Sequence, residues 1–142
     1  MTPAQVEMVR DSWAIVRTKN DLLAQRFYQR LFQLDPSLRL LFGHDMTEQR
    51  EKLMRTISIL VRGLHRPDRI HPALCLLGRR HAGYGVQPTD YAMVRQALIA
   101  ALSDLFGGVL SEEMSAAWGA AYDRISAVML NAAEESEVTH GL

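Results

Sequence analysis

The sequence predicts an all-α domain, and three observations carry that expectation. Apolar residues recur three and four positions apart along the chain, without sustained alternation of period two. Capping residues with prolines mark where segments begin, as in Thr2-Pro3, Asp35-Pro36 and Pro88-Thr89-Asp90. The apolar stripes do not follow strict heptads, so crossed helices fit better than a coiled coil.

Taken in order, Thr2-Pro3-Ala4-Gln5 reads as a capping box with proline in the first turn, followed by the stripe Val6, Val9, Trp13 and Val16. Thr18-Lys19-Asn20-Asp21 closes it. A second helix carries Leu23, Phe27, Leu31 and Leu34, with Tyr28 beside them. Asp35-Pro36 starts a short turn that runs to Phe42 and breaks at Gly43. A long helix follows, with Gln49, Leu53, Ile57, Leu60 and Leu64 on one line, and ends before His65-Arg66-Pro67-Asp68. A shorter helix after Pro72 carries Leu74, Leu77 and His81, with Gly83 and Gly85 expected to end it. The next bears Val94, Ala97, Leu98, Ala101, Leu102 and Leu105, up to Gly107-Gly108. Ser111-Glu112-Glu113 caps the last, whose stripe is Met114, Ala117, Trp118, Ala121, Ile125, Val128, Ala132 and Glu135.

These 142 residues suit one domain over 1–142, with 132–142 expected as a fraying tail. A chain of this size buries about 70% of its unfolded surface on folding. Sixteen basic residues balance sixteen acidic ones, which argues against a nucleic-acid partner or a polybasic membrane protein. One cysteine, Cys75, leaves no internal disulfide framework and no multi-cysteine metal site. No basic-then-apolar leader is visible, and Ile59-Leu60-Val61 and Leu74-Cys75-Leu76-Leu77 are too short to span a bilayer. The expectation is a reduced, soluble, cytoplasmic domain without a membrane partner.

His81 is the sharpest candidate for chemistry. Leu74, Leu77 and His81 are spaced three then four, so the imidazole extends a line of buried leucines. Such a histidine is commonly a satisfied core residue, and position alone leaves both readings open. His44, His65, His71 and His140 lie elsewhere, so a helical multi-histidine zinc site has little support. If His81 binds metal it does so as a single axial ligand, which suits haem, where the porphyrin supplies four nitrogens. Gln49 points an amide along an apolar stripe, at a cost of roughly 1–3 kcal/mol unless it is partnered or reaches water. Tyr28 has the same ambiguity, and the two together could pair over a ligand. Glu135 shares the stripe of Val128 and Ala132, whereas Glu134 points about 100° away; periodicity alone makes Glu135 a solvated carboxylate.

The ordered strings FYQRLF (with Tyr28), DPSLRLLF (ending in Phe42), EQREKL (with Gln49), LGRRHAGYGV (with His81) and AWGAAYDRI resemble the globin family. The resemblance runs from Thr2 to about Ala133 and is nearest to bacterial single-domain globins and the haem domain of flavohaemoglobins. It implies a globin fold of crossed helices enclosing haem b. His81 would be the proximal iron ligand and Phe42 would pack on the porphyrin. Tyr28, Gln49 and Leu53 would line the distal side, where the Tyr28 hydroxyl and the Gln49 amide would donate hydrogen bonds to the partial negative charge on bound dioxygen. Leu53, Ile57, Val94 and Leu98 would supply apolar walls, with further cofactor contacts from Leu77, Tyr84, Val86 and Tyr91. Lys52 and Arg80 would meet the propionates or remain ordinary solvated cations.

Motif matching also places Tyr91 and Glu135 behind the proximal histidine, where a carboxylate accepting its N–H would make it a stronger donor to iron. That is the arrangement of haem enzymes that activate dioxygen or peroxide. Gln49 stands where vertebrate carriers have histidine, so strong sixth coordination from that position is not expected; His44 is a weaker candidate for it. No flavin or nicotinamide segment follows before Leu142, so turnover would need a separate reductase. The expected function is reversible dioxygen binding, with NO and CO as further ligands. The alternative is nitric oxide dioxygenation, and the third reading is a cofactor-free helical interaction module.

Overall fold

The computed structural model describes the backbone of residues 1–140 and the side chains of residues 1–135; the ring of His140 and residues 141–142 lie outside that range. Among the described residues six α-helices follow one another: α1 (Pro3–Val16), α2 (Leu22–Leu34), α3 (Thr47–Arg62), α4 (Pro67–Gly83), α5 (Pro88–Leu105) and α6 (Glu112–His140). Short 3-10 helices at Pro36–Leu41 and Gly63–His65 join α2 to α3 and α3 to α4.

The expected caps form. Thr2 Oγ1 accepts the Gln5 amide at 3.1 Å while Gln5 Oε1 accepts the Thr2 amide at 2.9 Å. Asp35 Oδ1 accepts the Ser37 amide at 3.0 Å and starts the first 3-10 helix. Asp90 Oδ2 accepts the Gln87 amide at 2.8 Å, and Ser111 Oγ the Met114 amide at 3.1 Å. Gly85 turns with φ +89°, a left-handed conformation that admits glycine without strain, and so lets the chain leave α4.

α4 differs from the reading of the sequence. It begins at Pro67, a full turn before Pro72, and Pro72 lies inside it. An interior proline forfeits one helical bond and crowds the preceding turn, a penalty of about 3 kcal/mol in isolation. Tertiary contact offsets it here: Leu74 is 3% exposed, and Ile70 fills the space a side chain on Gly63 would need. Leu34, expected on the buried face of α2, is exposed because the helix ends there and the chain turns away at Asp35.

α4 packs chiefly on α6 and α2 on α5, while α1 lies on α6. The α4–α6 crossing is close because residue 78 is glycine; a Cβ there would fall on the backbone of Met129. The apolar interior divides into two clusters. The larger joins Val9, Trp13, Leu23, Phe27, Tyr28, Leu102 and Trp118, and the smaller joins Leu74, Tyr91 and Met129. Trp118 Nε1 donates to the buried Ser12 hydroxyl at 2.9 Å, and Trp13 Nε1 to Ser58 at 3.0 Å. Both indole N–H groups are therefore satisfied inside the larger cluster. None of the helices is long and apolar enough to cross a membrane over the described residues.

Candidate functional site

Tyr28 sits in the middle of α2, 6% exposed, within an aromatic group. Its ring centroid lies 5.0 Å from Phe27, 5.9 Å from Phe32 and 5.5 Å from Phe42, the Phe27 and Phe42 contacts being edge-to-face. Arg39 braces the corner that carries Phe42, donating to the carbonyls of Phe42 (3.2 Å), Gly43 (2.8 Å) and His44 (3.2 Å). These contacts hold the phenol in place from three sides.

Gln49, in the first turn of α3, donates from Nε2 to the Tyr28 hydroxyl oxygen at 2.9 Å. The amide that appeared costly to bury thus has its partner. Burial pushes the Tyr28 phenol above its ordinary value and outweighs the opposing effect of the Gln49 hydrogen bond, so the hydroxyl stays protonated at neutral pH. Because Gln49 occupies a lone pair of that oxygen, the O–H proton is free to be donated elsewhere. The next residue, Arg50, donates from Nε to Asp21 Oδ2 at 2.8 Å and ties the start of α3 to the start of α2. Asp21 Oδ1 also accepts from Gln25 at 2.7 Å, and the two bonds hold its carboxyl below the usual range.

His81 is half-buried near the end of α4. Its Nδ1 lies 2.8 Å from the Leu77 carbonyl oxygen, one turn earlier. A carbonyl only accepts, so Nδ1 carries the proton and Nε2 keeps its lone pair: the tautomer of a metal-ligating imidazole. Among the described residues no group of three His, Cys, Asp or Glu side chains is placed to hold a metal ion. A metal taken by His81 would have to bring most of its own ligands.

The apolar residues expected around a cofactor share one property. Phe42, Leu53, Ile57, Val94 and Leu98 rim the larger cluster, Leu77 and Val86 rim the smaller, and all seven are only half-buried. Inward-stripe side chains left half-covered offer apolar surface for a broad apolar ligand to cover. Covering each would contribute on the order of 1 kcal/mol. Haem passes this test: apolar faces are available, one nitrogen is free, and Lys52 and Arg80 are exposed cations on α3 and α4.

Tyr91 is buried with Leu74 and Met129 at the start of α5. Tyr122 donates its hydroxyl to the Tyr91 carbonyl oxygen at 2.6 Å, and burial is the main reason its phenol is pushed up. Glu135 lies exposed in the last described turns of α6. Tyr84 caps α4 and is 67% exposed, so its ring contributes little to any enclosed pocket. The sequence reading passed over Tyr122, Gly78 and the Asp21–Arg50 pair. A glycine in mid-helix three residues before His81 is a signal for Gly78 alone.

The globin family model matches residues 25–129. The flavohemoprotein of Rhizobium meliloti (strain 1021) is 26% identical over 141 residues, covering 97% of this chain and 34% of that protein. The chain thus spans about a third of the length of the curated relatives it matches. Among solved structures, a bacterial globin from Campylobacter jejuni superposes with a TM-score of 0.85 at 20% identity, covering 96% of this chain and 99% of that one. RmaNOD from Rhodothermus marinus, an engineered carbene transferase provisionally classed as a nitric oxide dioxygenase, superposes with a TM-score of 0.87 at 22% identity, covering 100% and 99%. Haem b is the cofactor of this family, and diatomic molecules such as dioxygen are its ligands. With the family model covering most of its length, and helices, paired clusters and a free imidazole nitrogen arranged as described, the chain belongs to the globin family and is similar to the haem domain of flavohemoproteins.

Proposed function

We propose that this globin binds dioxygen reversibly, with His81 as the iron ligand and Tyr28 and Gln49 stabilising the bound gas from the opposite side. The observation that carries the reading is the 2.9 Å hydrogen bond from Gln49 Nε2 to the Tyr28 hydroxyl oxygen. Haem b, when bound, supplies a ferrous iron that takes a diatomic ligand such as O2, NO or CO. Tyr28 then serves as donor: its proton is held by burial and directed away from Gln49, toward the ligand's negative end. Gln49 orients the phenol and limits water at the site. His81 presents Nε2 while Leu77 fixes its ring. Phe42, Leu53, Ile57, Leu77, Val86, Val94 and Leu98 exclude water from the cofactor faces, and Lys52 and Arg80 meet the propionates. Tyr91 backs the proximal side, and Tyr84 contributes at most to the outer edge.

Nitric oxide dioxygenation is the second reading, favoured by the likeness to flavohemoproteins and by buried Tyr91. It would require a separate reductase and a carboxylate such as Glu135 behind His81. The partner of Nδ1 is the Leu77 carbonyl, a neutral acceptor, and this supports the carrier as the first reading. Absorption spectra of ferric, ferrous and oxygenated protein, followed by oxygen dissociation kinetics, test the first reading. A colourless protein, or ferrous protein oxidised at once by air, would overturn it. Nitrate yield from NO under sustained reduction tests the second: a single stoichiometric reaction that then stalls speaks for the carrier.

A further inference from the structure

α4 buries the line of Leu74 and Gly78 and leaves a second line open. Asp68, Pro72, Cys75 and Arg79 follow one another by four, three and four, which makes them one stripe of the helix. Asp68, Pro72 and Arg79 are exposed and Cys75 is half-buried. His71, one turn before Cys75 and itself exposed, brings its Nε2 to 3.5 Å from Cys75 Sγ. Neither side chain has another hydrogen-bond partner among the described residues.

Thiol sulfur and imidazole nitrogen are both zinc ligands, and their separation here suits one zinc ion. With zinc–sulfur and zinc–nitrogen distances of about 2.3 and 2.0–2.1 Å, a tetrahedral angle sets the two donors about 3.5–3.6 Å apart. The observed 3.5 Å is that edge. A linear two-coordinate ion would hold them farther apart, so the spacing selects a tetrahedral one. Pro72 stands between the two donors, and its locked φ stiffens the turn that carries them. The pair supplies two of four ligands, and among the described residues no third His, Cys, Asp or Glu side chain joins it. One chain therefore holds half a site.

The charges on the same helix select what completes it. Asp68 stands three residues before His71, and Arg79 four residues after Cys75. Neither forms an ion pair among the described residues. The midpoint of Asp68 and Arg79 falls between residues 73 and 74, and the midpoint of His71 and Cys75 is residue 73. A second copy laid antiparallel about a two-fold axis at this point sets opposite charges against each other at both ends. The same axis brings together two histidines and two cysteines at the centre. Pro72 and Leu76, the latter 44% exposed, supply the apolar contact beside them.

We propose that His71 and Cys75 form half of a Cys2His2 zinc site, which two copies of this chain complete across an antiparallel contact of their α4 helices. A single cysteine excludes a multi-cysteine site within one chain, but two copies supply the second thiol. Each zinc–sulfur bond forms as the thiol proton passes to solvent, so one Zn2+ releases two protons and nothing changes oxidation state. The proposal does not depend on which gas the haem takes, because it concerns the outer side of α4.

The test uses haem-loaded protein, kept reduced, stripped with a chelator and then titrated with Zn2+. Analytical ultracentrifugation should show a monomer in chelator and a dimer with zinc, and metal analysis should find one zinc per two chains. Zinc K-edge X-ray absorption, which the haem iron does not obscure, should show two sulfur ligands at about 2.3 Å and two nitrogen ligands at about 2.0–2.1 Å. His71→Ala and Cys75→Ser should each lose the zinc-dependent dimer, while thermal unfolding in chelator stays near wild type. Asp68→Arg should weaken the dimer by setting like charges together, and D68R/R79D should restore it. Four outcomes would overturn the proposal: no zinc uptake, one zinc per chain in a monomer, a dimer that persists in chelator or in Cys75→Ser, or no rescue by the charge swap. The first would leave a thiol–imidazole hydrogen bond only. Failure of dioxygen binding would appear separately, in the oxygen kinetics.

Discussion

The Gln49 amide nitrogen stands 2.9 Å from the Tyr28 hydroxyl oxygen, and this one bond between α3 and α2 decides what the phenol can do. An amide donor fills an acceptor position on the oxygen and turns the hydroxyl proton outward. Burial holds that proton on the oxygen. A side chain that could have been an ordinary core tyrosine thereby becomes a fixed donor.

Tyr28→Phe should therefore raise the oxygen dissociation rate about tenfold, as expected for loss of a hydrogen bond to a partly charged acceptor. Gln49→Leu should have a smaller effect, because the phenol survives but loses its orientation. Stopped-flow displacement of oxygen by carbon monoxide measures both. An unchanged rate in Tyr28→Phe would remove Tyr28 from the distal role.

Gly78→Ala tests whether His81 is positioned by the close crossing of α4 and α6. A methyl group at residue 78 would meet the Met129 backbone, which cannot rotate away. Overpacking of this kind costs about 1–3 kcal/mol. Thermal unfolding should fall by several degrees, and haem transfer to an apoglobin acceptor should accelerate because His81 is three residues away. Gly83→Ala meets nothing within 4 Å and should leave both measurements near wild type.

The helix order, the caps and most of the core were legible in the sequence because each rests on local pattern. Val9, Trp13, Leu23 and Leu102 bury where their stripes say they should. Pro72 misled because a proline's local cost is visible in sequence while the packing that offsets it is not. The Tyr28–Gln49 pair could be suspected but not established: its members lie 21 residues apart, and only the crossing of α2 and α3 joins them. The Leu77 carbonyl could not be singled out at all, since a backbone oxygen one turn from a histidine is present in every helix.

Ser12→Ala should cost more than its small size suggests. The Ser12 hydroxyl accepts from Trp118 Nε1 at 2.9 Å and donates back to α1, 2.7 Å from the Met8 carbonyl and 3.0 Å from that of Val9. Removing it leaves an indole N–H without its partner in the larger cluster, at about 1–3 kcal/mol. Ser58→Ala removes the half-buried acceptor of Trp13 and should cost less. Denaturant unfolding of the two variants checks the order.

Asp21→Asn should destabilise the protein at neutral pH and matter less in acid. Hydrogen bonds from Arg50 and then Gln25 hold the Asp21 carboxyl below its ordinary value of 3.8 in the folded state. A depressed folded pKa stabilises the fold above the unfolded value, and that stabilisation is lost as pH falls through the folded one. The wild-type advantage over Asp21→Asn should thus be constant near pH 7, begin to shrink below about pH 4, and disappear once both states are protonated. With the pair partly open to solvent, the advantage at neutral pH should be no more than about 1 kcal/mol. Urea unfolding of both proteins across this range measures it; an advantage that grows in acid would reverse the assigned sign. Because Arg50 adjoins Gln49, the same variant should also speed oxygen release slightly at neutral pH, where the intact pair holds the start of α3 against α2 and keeps the amide on the Tyr28 oxygen.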